Sequence, residues 1–492
     1  MSSGAMIEKL NVAAAGTSPP VLVDKRLLPK RFLVVSNRLP YQIKIDRNRV
    51  LLRRGMGGLV TALDPILRNT GGTWIGWSGN YTRVPRRIAL DQAVVGAKDY
   101  HLRTIDLTRR EVERYYLGYS NKCLWPLFHY FQEHCEFNHD QWKSYEEINR
   151  RFADAIIYEY RPGDLIWVHD YQLMLVPALL RQALPEAKIG FFLHIPFPSD
   201  EIFQLDPHAG DLLAGVLGAD VVGFHIDVYA RNFMNAVASL TDHRYGKGEM
   251  EAVVDGRSVK VATLPISIDY DHFVDLATRE KTVEKVEEIR EYYRAEILAI
   301  GVDRLDYSKG ILERMQAIEI MLDRHPELQG KFSFIQISAP SRTKVHAYQE
   351  MRERIEQMVG RINGRFGGRG CIPIDYRYEG HPQEDLVAFY RAADLALVTP
   401  LRDGMNLVAK EYAASRVDEE GVLVLSQFAG AVQEMNGAVV VNPYDPETMA
   451  DRIYEAIVMP AKEKKERMRR MRETVRRNDI YWWLERFLRS ID

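Results

Sequence analysis

Short apolar runs, separated by longer stretches with helical periodicity, recur from one end of this chain to the other. They fall at 31–35, 164–169, 188–194 and 220–225, and again at 296–302, 331–337, 393–399 and 421–425. Little polar alternation interrupts them, which predicts strands covered by helices on both faces, and their alternation with helices predicts parallel sheets. Two such series predict two doubly wound domains. The stretch VKVATLPISIDYDHF between them, strand-like up to Pro265 and followed by charged helical sequence from about Thr278, is the expected linker. Open parallel sheets bind ligands beyond the carboxyl ends of their strands, so function is expected in a cleft that both domains share.

Length agrees with this division, since 492 residues exceed what one core usually organises. With 46% apolar and 27% charged residues the chain is ordinary globular protein. Its 66 Lys and Arg against 68 Asp and Glu leave a net charge of −2, so no global field draws it to nucleic acid or an anionic membrane. No stretch reaches the ~18 apolar residues of a membrane-spanning helix. The three cysteines, Cys123, Cys135 and Cys371, are too few and too scattered for a disulfide framework, which fits a reducing cytoplasm. Residues 1–25 read as a flexible tail. The basic run AKEKKERMRRMRETVRR near the end is interleaved with Glu and reads as a solvated helix face.

Several strand ends carry polar groups. VSNRLP places Arg38 at the end of the first strand, and RRGMGGLV supplies Gly57 and Gly58 at a helix start, either a plain turn or a close approach to a phosphate. WVHDYQL sets His169 and Asp170 after a strand, where Asp170 is either a helix cap or a ligand for sugar hydroxyls. FFLHIPFPSDEIF delivers His194 in the same way. GVDRLDYSKG offers Arg304 and Lys309, suited to a diphosphate or, equally, to surface ion pairs with Asp303 or Asp306. RDGMNLVAKEY adds Asp403, a turn at Gly404, and Glu411 on the following helix, where a carboxylate can take ribose hydroxyls.

Taken together, VSNRLP, GGLV, WIGWSGN, YYLGYSNKCLWPLFHY, WVHDYQLMLVP, FFLHIPFPSDEIF, GVDRLDYSKG, RDGMNLVAKEY, LSQFAGA and VNPYD, in this order, resemble the trehalose-6-phosphate synthases. The resemblance runs from about Arg31 to the end. It implies an α/β fold of GT-B architecture, two Rossmann-like doubly wound parallel-sheet domains facing a cleft. Residues 26–266 would form the acceptor domain for glucose 6-phosphate, 267–465 the nucleotide-sugar domain, and 466–492 a helix crossing back, with Tyr481, Trp482 and Trp483 packing it.

The same resemblance implies transfer of glucose, with retention, from UDP-glucose (or the ADP or GDP sugar) to glucose 6-phosphate. The acceptor would meet Arg38, Trp77, Tyr116, Trp125, Asp170 and Arg342. The donor would meet Gly58, His194, Arg304, Lys309, Asp403, Gly404, Met405, Asn406, Leu407, Val408 and Glu411. Asp170, His194, Arg304 and Lys309 would carry the chemistry. A homo-oligomer, dimer or tetramer, is expected. No cofactor or metal is expected, because the best D-x-D match, Asp269-Tyr270-Asp271, sits in the linker. Two positions depart from the family pattern: Met56 in the glycine loop and Ser267 in PISID. A glucosylglycerol-phosphate synthase would lack reason for the sugar-phosphate set, and a non-catalytic sensor would be expected to lose donor ligands. A dinucleotide oxidoreductase is disfavoured because no G-x-G-x-x-G follows the first strand.

Overall fold

The computed structural model describes residues 9–12, 21–46, 49–55, 58–81, 87–89, 100–241, 244–245, 250–341, 346–368 and 371–492. The chain divides into two units. Pro19–Ile266 and Tyr481–Asp492 belong to one, Ser267–Ile480 to the other.

The apolar runs become strands because their side chains are buried on both faces, as Leu33, Val34 and Val35 or Leu165, Ile166 and Trp167 are. In the first unit they form a ten-stranded sheet. Its parallel centre runs, in spatial order, Arg257–Thr263, Val221–Phe224, Lys188–Phe192, Asp164–His169, Arg31–Arg38, Gly72–Trp77, Tyr100–Ile105. The short strands Arg244–Tyr245, Glu251–Val254 and Arg87–Ala89 add antiparallel edges. After Arg31–Arg38 the chain builds outward on one side, then returns at Asp164–His169 to build on the other. Those two strands therefore flank the point where strand order reverses, the usual ligand crevice of a doubly wound sheet.

The second unit holds six parallel strands in the order Ile374–Arg377, Phe332–Ala339, Ile297–Arg304, Leu395–Val398, Val422–Ser426, Val439–Val441. Here the reversal lies between Ile297–Arg304 and Leu395–Val398. Its core packs Phe334, Leu397 and Val424 of the sheet with Met315, Ile318, Leu322 and Ile453 of flanking helices. Among the described residues no helix is long and apolar enough to cross a membrane.

Two terminal expectations differ from what is seen. Within 1–25, Lys9–Val12 and Val21–Asp24 pair as antiparallel strands, and Val23 is buried, so this stretch is not wholly a tail. At the other end 466–492 is not one helix. Ala461–Arg477 stays with the second unit, burying Met468, Met471 and Val475 while Arg472 donates to the carbonyls of Ala413 and Ala414. Ile480–Ile491 follows as a separate helix, and from Tyr481 it belongs to the first unit. There Trp483 and Phe487 stack on Trp167 at ring distances of 4.9 and 4.0 Å, and the Trp483 indole donates to Leu264 O. Tyr481 and Trp483 are buried, while Trp482 is half-buried beneath Arg486. Ser267 is fully buried and its hydroxyl has no hydrogen-bond partner among the described residues.

Phe487 fits because Gly190, mid-strand beneath it, lacks a side chain: a Cβ there would sit 2.2 Å from the ring edge. Phe487→Ala should cost about 3–5 kcal/mol and Gly190→Ala about 1–3 kcal/mol. Because the two changes share one space, urea unfolding followed by tryptophan fluorescence should find the double variant more stable than the sum of the single losses allows.

Candidate functional site

At the reversal point of the first unit, Arg38 ends its strand paired in register with Trp77. Its guanidinium lies 4.7 Å from the Trp77 ring centroid and 5.6 Å from that of Tyr116. Arg38 is exposed, and among the described residues no carboxylate pairs with it. A planar cation spread on two aromatic faces keeps its fork of donors turned outward, ready for a phosphate or carboxylate. Tyr116 stands on Val112–Leu124, a wide π-type helix interrupted at Gly118. Such local widening is common at functional sites.

Trp125 follows that helix, packed on Tyr171 at 5.8 Å. Asn121 joins the two aromatics, donating to Tyr116 O at 2.6 Å and accepting from the Tyr171 hydroxyl at 2.9 Å. Beneath them the buried Tyr115 hydroxyl lies 3.1 Å from Asn37 Oδ1 and 3.3 Å from Gln172 O. That one hydroxyl ties together the segments carrying Arg38, Tyr116 and Asp170. Tyr115 was not singled out in the sequence, where it is one tyrosine of a pair inside a longer motif.

Asp170 is no helix cap. Its side chain makes no capping bond; it accepts the His194 backbone N–H at 3.2 Å, and its own backbone has φ 79°, ψ 166°. A non-glycine residue in that region costs about 1–3 kcal/mol and persists only where its surroundings over-determine it. His194 follows the next strand. Its ring Nε2 lies 3.0 Å from His169 Nδ1, and His225, after the strand beyond, stands 5.4 Å away ring to ring. Three successive strands thus each place a histidine at or just beyond their carboxyl end. Burial, then a neighbouring imidazole, lowers the pKa of His169 and of His194 well below the usual range, so both are neutral.

In the second unit Arg304 ends the Ile297–Arg304 strand and Lys309 follows on a short turn. Asp306 builds that turn by accepting from the Ser308 N–H and hydroxyl, at 3.0 and 2.9 Å, and from Tyr348 at 3.0 Å. Gly310, at φ +62°, must be glycine, since a Cβ would lie 2.3 Å from Thr399 O. Across the reversal point, Leu401 N–H donates to Ser308 O at 2.8 Å, joining the two loops. Lys309 Nζ pairs with Asp403, whose carboxylate also accepts from Asn406 at 3.2 Å. The surface ion pairs with Asp303 or Asp306 considered for Lys309 are therefore replaced by a pair within the site.

Buried Arg314 underlies this arrangement. It donates to Asp303 and Gln336, both at 2.7 Å, to Thr399 Oγ1 at 2.9 Å and to Lys309 O at 3.2 Å. Asn406, at φ 68°, turns the chain into helix Leu407–Ser415, and Gly404 and Met405 are buried behind it. Leu407 and Val408 occupy the helix's first turn, whose free N–H groups suit an anion or hydroxyl. Glu411, one turn on, accepts from Tyr390 at 3.0 Å.

Arg38, Trp77, Tyr116, Trp125, Asp170 and His194 thus gather in the first unit, where Gly58 opens helix Gly58–Thr70. Arg304, Lys309, Asp403 and the residues through Glu411 gather in the second. Arg342 and Met56 lie outside the described residues, as does Gly57. Asp269, of the D-x-D match, caps helix Tyr270–Thr278 by accepting from His272 N–H at 3.1 Å. Among the described residues no three His, Cys, Asp or Glu side chains converge as metal ligands would.

Residues 30–492 match the sequence model of glycosyltransferase family 20. The chain belongs to this family. It is 42% identical over 94% of its length to a bifunctional trehalose-6-phosphate synthase/phosphatase of Thermoproteus tenax, of which it spans 63%. It is 37% identical to an α,α-trehalose-phosphate synthase (UDP-forming) of Candida albicans, covering 94% of this chain and 97% of that relative. A crystal structure of the UDP-forming synthase from Burkholderia xenovorans, in complex with glucose-6-phosphate, superimposes with a TM-score of 0.86 at 36% identity, over 94% of this chain and 99% of that one. The family 20 chain thus carries the expected pair of parallel-sheet α/β domains.

In this family member burial pushes the Glu411 carboxyl up to about 7, only partly offset by the Tyr390 hydrogen bond. A carboxyl that holds its proton more tightly when folded stabilises the fold below its ordinary value of 4.5, and that contribution is lost as pH rises through about 7. Glu411→Gln, which cannot ionise, should come closest to wild type near pH 4, below the ordinary carboxyl value, and exceed it in unfolding free energy near pH 8, measured by urea titration at each pH.

Proposed function

We propose that this chain is a retaining glucosyltransferase that moves glucose from UDP-glucose to glucose 6-phosphate, giving α,α-trehalose 6-phosphate. One observation carries the reading most directly: Arg38, exposed, spread over Trp77 and Tyr116, and without a carboxylate partner among the described residues. It suits the phosphate of a sugar phosphate, and Asp170 and Trp125, whose neighbours Gln172 and Tyr171 join the same hydrogen-bonded frame, are proposed to take the ring. The names of the relatives, synthases of trehalose phosphate that form UDP, supply the substrates. A dimer or tetramer is carried over from the family resemblance. A cytoplasmic setting is supported by three cysteines that all remain free thiols.

In the proposed reaction the bond from the donor's anomeric carbon to the β-phosphate oxygen breaks, and a bond from that carbon to the anomeric oxygen of glucose 6-phosphate forms on the same face. The acceptor's hydroxyl proton passes to the departing diphosphate. Arg304 and Lys309 stabilise the charge that develops there, and the N–H groups at the start of Leu407–Ser415 add their dipoles. Asp403 and Asn406 hold the transferred glucose, and Glu411 the ribose. Cationic side chains supply this charge, so we propose that no metal is needed. Turnover should persist in excess EDTA; activity lost to EDTA and restored by Mg²⁺ would overturn this.

The deciding experiment pairs UDP-, ADP- and GDP-glucose with glucose 6-phosphate, glucose and glycerol 3-phosphate, read by product mass. Trehalose 6-phosphate is expected, and a glucosylglycerol phosphate as the main product would replace the reading. Charge-assisted contacts to phosphate are worth roughly 1.5–3 kcal/mol, so Arg38→Ala should lower kcat/KM for glucose 6-phosphate by about 10- to 100-fold. Arg342→Ala should behave alike. Equal proportional losses with unphosphorylated glucose would remove both arginines from the phosphate site.

A further inference from the structure

His169 ends its strand one residue before Asp170, is fully buried, and plays no part in the reaction proposed above. Its Nδ1 stands 3.0 Å from Nε2 of His194. Burial, then the neighbouring ring, keeps both imidazoles neutral. A neutral imidazole carries one N–H, and one hydrogen serves the contact between the two. The tautomer of either ring therefore dictates that of the other. A proton on His169 Nδ1 makes His194 Nε2 the acceptor and puts the proton of His194 on Nδ1. The reverse arrangement puts the proton of His169 on Nε2 instead.

The second arrangement leaves a buried donor with nothing to bind. His169 Nε2 is buried and has no hydrogen-bond partner among the described residues, and its ring lies 4.8 Å from that of Trp167 and 6.5 Å from that of Phe192. Orphaned buried N–H groups are rarer than under-used acceptors. The His194 ring is held on its other sides by Phe192 at 4.7 Å and His225 at 5.4 Å, and its backbone N–H by Asp170, so Nδ1 is the ring nitrogen left for a ligand. We propose that His169 is a positioning residue that locks His194 in the Nδ1–H tautomer, so that His194 meets the transferred sugar as a fixed hydrogen-bond donor. This rests on the reading of His194 as a ligand of the donor glucose.

The test is made on the full-length enzyme with ¹⁵N-labelled histidine, the His194 ring signals being assigned by their loss in His194→Gln. A pyrrole-type Nδ1 and a pyridine-type Nε2 are expected; the opposite pattern would overturn the proposal. In parallel, His169→Asn places an amide N–H where Nδ1 stood and should keep kcat within about threefold of wild type. His169→Phe offers no donor and should lower kcat by about tenfold, with KM for UDP-glucose moving less than about twofold. Equal losses in both variants, or a loss confined to KM, would make His169 a packing residue only. Should His169→Phe not fold, the nitrogen signals and His169→Asn decide between the same two outcomes. Undiminished turnover by His194→Gln would instead reject the donor-ligand reading beneath the proposal, whatever tautomer the spectra show.

Discussion

Parallel strands send every carboxyl end to the same edge of a sheet, and where the strand order reverses, the two connections leave in opposite directions and part. The gap cannot be filled by the connecting helices, so backbone groups and side chains at that point stay available to a ligand. Each unit of this chain has one such point. In the first it lies between Arg31–Arg38 and Asp164–His169, and in the second between Ile297–Arg304 and Leu395–Val398. Arg38 and Asp170 stand at one, Arg304, Lys309 and Asp403 at the other. The site residues are placed by sheet topology before any of them makes a contact of its own.

Availability alone would leave these loops loose, and buried polar groups hold them. The Tyr115 hydroxyl in the first unit and the Arg314 guanidinium in the second each bond to segments far apart in sequence. In a dry interior such groups are expensive to leave unsatisfied, so every loop that meets them is confined to the geometry that meets them. Arg314 is paired with Asp303 and bonded to Gln336, Thr399 and Lys309, which joins both sides of the reversal point through one side chain.

That confinement permits backbone strain where it is useful. Asp170 and Asn406 both have positive φ, one at each reversal point, and neither caps the helix it precedes. In each, the side chain is turned instead to a neighbouring group of the site, the His194 N–H or the Asp403 carboxylate. A capping role would have relaxed the chain and spent the side chain on its own backbone.

By itself the sequence determined the two parallel-sheet series, because apolar runs flanked by helical periodicity have few other ways to leave water. It also determined the family, because ten motifs in fixed order carry more information than any one of them. It was legible that Arg38, Asp170, Arg304 and Asp403 stand at strand ends, but not whether Asp170 capped a helix or Lys309 paired on the surface, since both uses leave the same residues at the same spacing. Only the tertiary structure decided those, by bringing His194 to Asp170 and Asp403 to Lys309 across 24 and 94 positions. It alone also revealed Tyr115 and Arg314 as supports, the contact of His169 with the His194 ring, and the division of the last residues into two helices belonging to different units. Contacts between residues distant in sequence depend on where the sheet puts them, and local pattern carries no record of that distance.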